Sequence, residues 1–541
     1  MRGLMQDWPL VVHKIIDHAA LYHKGAKIVS RSVEGSLHRT GYEEIRVRAR
    51  KLSAALARRG VKRGDRVATL AWNTWRHLEC WYGIAGMGAV YHTLNPRLFP
   101  DQIAWIVNDG GAKVLMFDAC FAPLVEQIAP KLRHVECYIV LSAAGDLPKM
   151  KLPKKPIAYE AAIAAARERE WDRFDENQAC GLCYTSGTTG NPKGVLYSHR
   201  SNVLHALITA VGPAVLARPS DVMLPVVPMF HANAWGAPFM MPMTGTSLVL
   251  PGPRLDPPSI YALMESEGVT LAAGVPTVWL GLLRYLEENG LKLTTLKKVL
   301  IGGAAAPLAM IETFEDRYGI EVIHSWGMTE MSPVGTMCVP KPPLDTLPPA
   351  ERHALQMKQG TPVFGVEMKI TDDSGRERPR DGASVGRLKI RGPAIVKAYF
   401  KGAGKSAFDK EGWFDTGDVA SIDAHGYMTI TDRSKDVIKS GGEWISSVLI
   451  ETLAMGHPSV AEAAVIGVAH PRWNERPLLI VARKPGCGCG AAELLDFLSG
   501  KIAKWWRPDA VVFVDEIPHS ATGKILKTEL RRRFADFRLP A

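Results

Sequence analysis

The feature that most constrains this chain is a recurring unit: apolar residues at helical spacing, a glycine, then a short apolar run. Ile45, Ala49, Leu52 and Leu56 follow the helical period, which stops at Gly60, and the turn VKRGD then leads into Val67–Ala71. The unit returns at Ser259–Glu267, Gly268 and VTLAAGV, and again at Leu308–Tyr318, Gly319 and IEVIHSW. A mostly apolar run of strand length must be covered on both faces. Such strands, separated by amphipathic helices, predict an α/β fold with layered, largely parallel sheets. There is no short-period repeat and no low-complexity tract.

A chain of 541 residues exceeds one compact core, and domain-size statistics predict about two to four domains. The formal charge of +11 raises the question of nucleic acid, but aromatics are not interleaved with basic stripes as in a single-strand binder. Small phosphate-rich ligands fit the same excess. The eight cysteines make no disulfide framework, and neither C-x-x-C at Cys180–Cys183 nor C-x-C at Cys487–Cys489 has a histidine at metal-ligand spacing. Idle thiols suit a reducing compartment. Asp7 and His13 interrupt the N-terminal segment, which does not read as a signal peptide. The apolar stretch from Trp235 is broken by Pro238, Pro242 and Pro251, so no stable membrane span is expected and the cytoplasm is the expected compartment. Pro340–Arg352 reads as a surface excursion. After about residue 432 the chain changes to strand candidates at Ala463–Val468, Leu478–Ala482 and Val511–Val514, with a helix candidate near Leu494–Trp505. That stretch reads as a small separate α+β domain.

The segment YTSGTTGNPKG at 184–194 carries the densest chemistry. Thr185, Ser186, Thr188 and Thr189 supply hydroxyls, Gly187, Gly190 and Gly194 permit close backbone approach, and Lys193 adds a cation. These are the parts of a phosphate cradle. Gly194 follows the lysine, so the spacing is not a Walker A loop. A plain glycine–threonine hairpin is the alternative for this segment alone.

The order of the remaining motifs decides between them. PMFHANAW (228–235), GGAAAP (302–307), SWGMTE (325–330), WFDTGD (413–418), DRSKDVIKSGGEWIS (432–446) and PHSATGK (518–524) follow the first in sequence. The set resembles the adenylate-forming synthetase family, over nearly the whole chain. Through PMFHANAW and VPTVWL it is most similar to the medium- and long-chain fatty acyl-CoA synthetases. The resemblance implies a large N-terminal AMP-binding domain (1–432) and a mobile C-terminal domain (433–541) hinged at Lys435. It implies ATP and coenzyme A as co-substrates, Mg²⁺ with the nucleotide, a carboxylic acid as third substrate, and a homodimer. Two rivals remain: a ligase for a short or unusual acid such as a sulfur-containing propionate or an aryl acid, and a carrier-protein loader or inactive nucleotide-binding protein.

By the same resemblance, Lys524 bridges the acid's carboxylate and the α-phosphate during adenylation. Glu330 is the Mg²⁺ ligand, Thr185 adds a hydroxyl to that ion, and Thr329 bonds the α-phosphate. The cradle residues Thr185, Ser186, Gly187, Thr188, Thr189, Gly190 and Lys193 hold phosphates. His324, Ser325 and Trp326 line the nucleotide pocket and Gly303 approaches the adenine. Asp418 accepts from the ribose hydroxyls, supported by Arg433. His231 stands near the reacting carboxylate, and Ala232, Val275, Pro276 and Thr277 line the acyl tunnel with Trp235 as its gate. After rotation about Lys435, the face bearing Lys439, Gly441, Gly442 and Glu443 opens a path for coenzyme A, with Trp444 near the nucleotide. Lys527 and Arg531–Arg533 read as a basic tail around Lys524.

Overall fold

The computed structural model describes residues 1, 3–185, 191–212, 215, 217–434, 436–440, 443–519 and 525–539, without the side chains of Glu443 and Trp444. The expectations at Ser186, Gly187, Thr188, Thr189, Gly190, Lys435, Gly441, Gly442 and Lys524 therefore lie outside the described residues.

The helix–glycine–strand unit folds as its sequence requires. Ile45, Ala49, Leu52 and Leu56 form the fully buried face of the helix Tyr42–Ala57. Gly60, at φ +79°, turns the chain into the strand Arg66–Leu70. The helix Pro257–Ser266 begins where Asp256 accepts from the Ser259 amide at 3.0 Å and ends before Gly268, at φ +64°. Leu308–Tyr318 departs from a single helix. It is α-helical over Leu308–Glu312 and widens into a π-turn over Thr313–Arg317 before Gly319.

These units build two large sheets. In the seven-stranded sheet, Arg66–Leu70 lies between Val90–Thr93 and Ala112–Phe117, and every neighbouring pair is parallel except the edge hairpin Ala179–Tyr184/Gly194–Ser198. The nine-stranded sheet has a parallel centre made of Lys27–Arg31, Ser247–Leu250, Val222–Pro225, Leu271–Gly274, Lys298–Ile301 and Glu321–Gly327, with antiparallel edges. A four-stranded sheet between Glu367 and Arg433 is wholly antiparallel, a departure from the parallel expectation. No α-helix lies between its successive strands, so the crossover that parallel neighbours need is missing.

A five-stranded sheet holds only residues from Ile438 onward, so the architecture is a large N-terminal domain and a smaller C-terminal α+β domain. Its two longest strands, Val460–His470 and Asn474–Arg483, run longer than their sequence candidates, and Ala510–Val514 pairs parallel with the second. The expected helix at Leu494–Trp505 is instead Ala491–Leu498. The chain breaks at Gly500, at φ +81°, and Lys504–Trp506 is a separate 3₁₀ turn. The Pro340–Arg352 excursion is largely exposed, and its end enters the helix Pro349–Gln356, which buries Leu355. Where the two domains meet, the Ser446 hydroxyl donates to the Thr431 carbonyl and the Ser447 amide to Asp432 Oδ2 at 2.9 Å. All eight cysteines are free, and no helix among the described residues is long and apolar enough to cross a membrane.

Candidate active site

In parallel α/β sheets the strand C-termini leave a crevice where loops diverge. Here the strands ending at Pro225, Gly274, Ile301 and Gly327 open onto a cavity of about 600 Å³. Its wall carries the apolar side chains of Val226, Phe230, Trp235, Leu255, Val275 and Pro276. It also carries Thr185, Lys193, Ser325, Thr329, Glu330, Tyr399 and Arg433. Apolar and charged walls thus meet in one space.

The glycine-rich segment joins an antiparallel hairpin, and its base is locked. The Thr185 amide donates to the Lys193 carbonyl at 2.9 Å, and the Lys193 amide donates to Thr185 Oγ1 at 3.2 Å. The hydroxyl of Thr185 is thereby an acceptor within the hairpin and retains its own proton to donate. The Lys193 ammonium lies 5.1 Å from the Tyr399 ring centroid.

Thr329 and Glu330 sit in a tight turn, Thr329–Met331, held from several sides. Tyr197 donates to the Thr329 carbonyl at 2.6 Å, and the Val396 amide to the Glu330 carbonyl at 2.8 Å. Glu330 is only 6% exposed, and burial pushes its carboxyl above the ordinary range, against the pull of the Tyr399 hydroxyl donating to Oε1 at 2.6 Å. No lysine or arginine among the described residues forms an ion pair with it. Its own backbone amide and the Arg433 charge pull the same way as Tyr399, and a buried carboxylate without an ion pair fits a hard cation. No group of three or more His, Cys, Asp or Glu among the described residues could cage a metal. A magnesium ion here would take its remaining oxygens from phosphates and water, as Mg²⁺ usually does.

Ser325 and Trp326 line the cavity, and Ser325 Oγ is buried without a hydrogen-bond partner. An orphaned buried hydroxyl on a cavity wall is a place for a ligand. His324 is not on that wall. It is buried with Nδ1 3.2 Å from the Gln356 carbonyl, and burial lowers its affinity for a proton. Asp418 is 2% exposed and takes the Trp326 indole on Oδ2 at 3.1 Å and the Arg433 guanidinium on Oδ1 at 2.9 Å. Gly303, at φ +81°, lines the cavity, and a Cβ on neighbouring Gly302 would lie 3.1 Å from Trp235 Cη2.

FHANAW forms a left-handed turn. Ala232, Asn233, Ala234 and Trp235 have φ between +46° and +54°, and Gly236 follows at +84°. Its inner face buries Asn233 and Ala234, while His231, Ala232 and Trp235 line the cavity. Val275, Pro276 and Thr277 reach the same cavity from the start of the helix Pro276–Glu288.

Lys439 is not on the cavity wall. It lies exposed in the hairpin Ile438–Ser440/Glu443–Ile445, paired across it with Trp444. Lys527 corrects its reading as part of a basic tail. Its side chain is only 10% exposed, its ammonium is 2.8 Å from Glu451 Oε1, and it lines the cavity. Its partner is far away in sequence, so nothing near Lys527 signals this. Tyr399 likewise carries no local signal, because both of its partners, Glu330 and Lys193, are distant in the chain.

Comparison with known proteins agrees with this arrangement. The AMP-binding enzyme family matches residues 16–400, and the AMP-binding enzyme C-terminal domain matches residues 449–524. The chain is 49% identical to a 3-methylmercaptopropionyl-CoA ligase of Ruegeria lacuscaerulensis, covering 99% of both chains. It is 47% identical to a medium-chain-fatty-acid–CoA ligase of Ectopseudomonas oleovorans, covering 100% of this chain and 98% of that one. It is 45% identical to a long-chain-fatty-acid–CoA ligase of Thermus thermophilus, with 98% and 97% covered. Among solved structures, an anthranilate CoA ligase in complex with anthranoyl-AMP superposes with a TM-score of 0.87 at 26% identity, covering 98% and 99%. With matches that span both the cavity-bearing domain and the C-terminal sheet, this chain belongs to the AMP-binding enzyme family.

Proposed function

We propose that this protein is an AMP-forming acyl-CoA synthetase that activates a medium- to long-chain fatty acid and transfers it to coenzyme A, working in the cytoplasm. The observation that carries the reading is one cavity whose wall combines apolar side chains with hydroxyls, a lysine, an arginine and a buried carboxyl. An acid held mainly by its alkyl chain gains about 0.8 kcal/mol per buried CH₂. The orphaned Ser325 hydroxyl and the buried Glu330 carboxyl, which forms no ion pair among the described residues, suit a nucleotide and its cation.

In the first step a carboxylate oxygen attacks the α-phosphorus of ATP and pyrophosphate leaves. Two anions meet, so positive charge must offset their repulsion. Lys524 is proposed for that role, with Lys193 and the other cradle residues, Ser186, Gly187, Thr188, Thr189 and Gly190, on the phosphates. Glu330 would hold the magnesium ion that accompanies ATP, with the Thr185 hydroxyl beside it, and that ion would neutralise phosphate charge. Thr329 would bond the α-phosphate, Gly303 would admit the adenine, and Asp418, steadied by Arg433, would hold the ribose hydroxyls. His231 would stand at the carboxylate, and Trp235 at the tunnel. In the second step the coenzyme A sulfur attacks the acyl carbon and AMP leaves. The C-terminal domain would turn about Lys435 to bring Lys439, Gly441, Gly442 and Glu443 to the pantetheine path, and Trp444 to the nucleotide.

The test is a panel of carboxylic acids with ATP, Mg²⁺ and coenzyme A, reading thioester mass and AMP together. Fatty acids of roughly six to sixteen carbons should lead, because each added CH₂ that stays buried strengthens binding. A panel led by 3-methylmercaptopropionate would favour the second reading, which the Ruegeria relative supports. Acyl-adenylate that accumulates and never passes to coenzyme A would favour a carrier-protein loader. The homodimer belongs to the same proposal and is checked by sedimentation.

A further inference from the structure

Between the strand Val385–Arg391 and residue 404 the chain passes between two motifs that lie far apart in sequence. Residues 394–399 grip the turn and the residue after it, 329–332, at three points. The Val396 amide donates to the Glu330 carbonyl at 2.8 Å, the Ser332 hydroxyl to the Ala394 carbonyl at 2.8 Å, and the Tyr399 hydroxyl to Glu330 Oε1 at 2.6 Å. The other side of the same segment meets the glycine-rich hairpin. A Cβ on Gly194 would stand 3.0 Å from Phe400 Cβ, and one on Gly404 would stand 3.1 Å from Lys193 Nζ. Tyr399 is 6% exposed, with its hydroxyl on Glu330 and its ring 5.1 Å from the Lys193 ammonium.

We propose that Tyr399 is a positioning residue that spaces the two charges of the phosphate end before nucleotide arrives: its hydroxyl fixes the carboxyl of Glu330, leaving Oε2 for a divalent cation, and its ring steadies Lys193. The inference rests on the reading of this cavity as a magnesium–nucleotide site. A carboxylate free to rotate in a buried site must be reordered each time a cation binds, and a donor already seated on one oxygen removes that cost. A buried tyrosine hydroxyl also needs a partner, and Glu330 is the one it has here. The arrangement thus satisfies the tyrosine and orients the acid together.

Tyr399→Phe keeps the ring and removes the hydroxyl; Tyr399→Leu removes both. Mn²⁺ is titrated into the full chain with ATP, free Mn²⁺ being read by electron paramagnetic resonance, and AMP affinity is measured separately in EDTA. For Tyr399→Phe the Mn²⁺ half-saturation point should rise roughly tenfold, the loss expected for a hydrogen bond to a charged group, while metal-free AMP binds within about twofold of wild type. Tyr399→Leu should in addition weaken metal-free ATP, through the loosened Lys193. An unchanged Mn²⁺ half-saturation in Tyr399→Phe, or an equal loss of metal-free AMP binding, overturns the role of the hydroxyl. Equal metal-free ATP affinity in the two variants overturns the role of the ring. If no acid supports pyrophosphate exchange in the wild type, the ligase reading fails, and the two binding titrations still decide the case of Tyr399.

Discussion

Glu330 concentrates the electrostatics of the site. Its carboxyl is buried, lacks a cationic partner among the described residues, and is held by a neutral hydroxyl. Removing its charge while keeping its shape should cost chemistry more than folding. Glu330→Gln is expected to slow acid-dependent pyrophosphate release by roughly 10²–10³, with a melting temperature near wild type. Retained rate at saturating Mg²⁺ would count against the metal role. Lys524→Ala is expected to abolish pyrophosphate release while supplied acyl-adenylate still yields thioester; equal loss of both steps rejects the assignment. At this scale the sequence spoke unevenly. Glu330 and Thr329 stood out because SWGMTE is ordered among other motifs, and both line the cavity. Tyr399 and Lys527 did not, since a side chain's partner across the fold leaves no local trace.

Among the elements, the left-handed turn Ala232–Gly236 is the least expected. Each non-glycine residue in that region costs roughly 1–2 kcal/mol, so the turn persists only because its surroundings hold it. The Asn233 amide reaches Asn202 Oδ1 at 3.5 Å, and Gly236 leaves no room for a side chain, a Cβ there lying 2.9 Å from the His205 ring. Gly236→Ala is therefore expected to destabilise the protein by about 2 kcal/mol, from backbone strain and contact with His205 together. Chemical denaturation measures this, and a neutral effect would show that the turn relaxes freely. Trp235→Ala should change the ranking of acyl chain lengths. If the ranking does not move, Trp235 is only a wall. Alanine, asparagine and tryptophan in a row give no sign of left-handed backbone, which is why PMFHANAW could be read as a pocket wall but not as this turn. Gly60, Gly268 and Gly319 were legible as stops because a positive φ at a helix end is what glycine supplies.

Over the whole molecule, the proposed pair of reactions in one cavity calls for the C-terminal domain to turn about Lys435. The Ser446–Thr431 and Ser447–Asp432 contacts belong to one arrangement of the two. Lys435→Pro is expected to leave adenylation near normal and to slow thioester formation, measured as separate half-reactions. The fold also carries a pH signature. His92 is fully buried, neither ring nitrogen has a partner, and burial, with Arg66 nearby and Asp109 opposing, lowers its pKa to about 3. The unfolded chain takes up that proton near pH 6.5 and the fold does not, so His92 costs stability as pH falls below 6.5. His92→Leu, of similar volume, should gain about 2 kcal/mol more at pH 5 than at pH 7. A gain independent of pH would mean that the imidazole takes up its proton as readily in the fold as in the unfolded chain. The two-domain layout was legible from the change in character near residue 432. The antiparallel sheet after Glu367 was not, because its strands lack the helix between them that marks a crossover.

The central claim is that a carboxylate oxygen attacks the α-phosphorus of ATP in this cavity. The most direct measurement uses a fatty acid labelled with ¹⁸O in both carboxyl oxygens, with ATP, Mg²⁺ and coenzyme A, and weighs the AMP released. The claim requires one ¹⁸O in each AMP phosphate, with unlabelled pyrophosphate beside it. Unlabelled AMP, or ADP in its place, would contradict it.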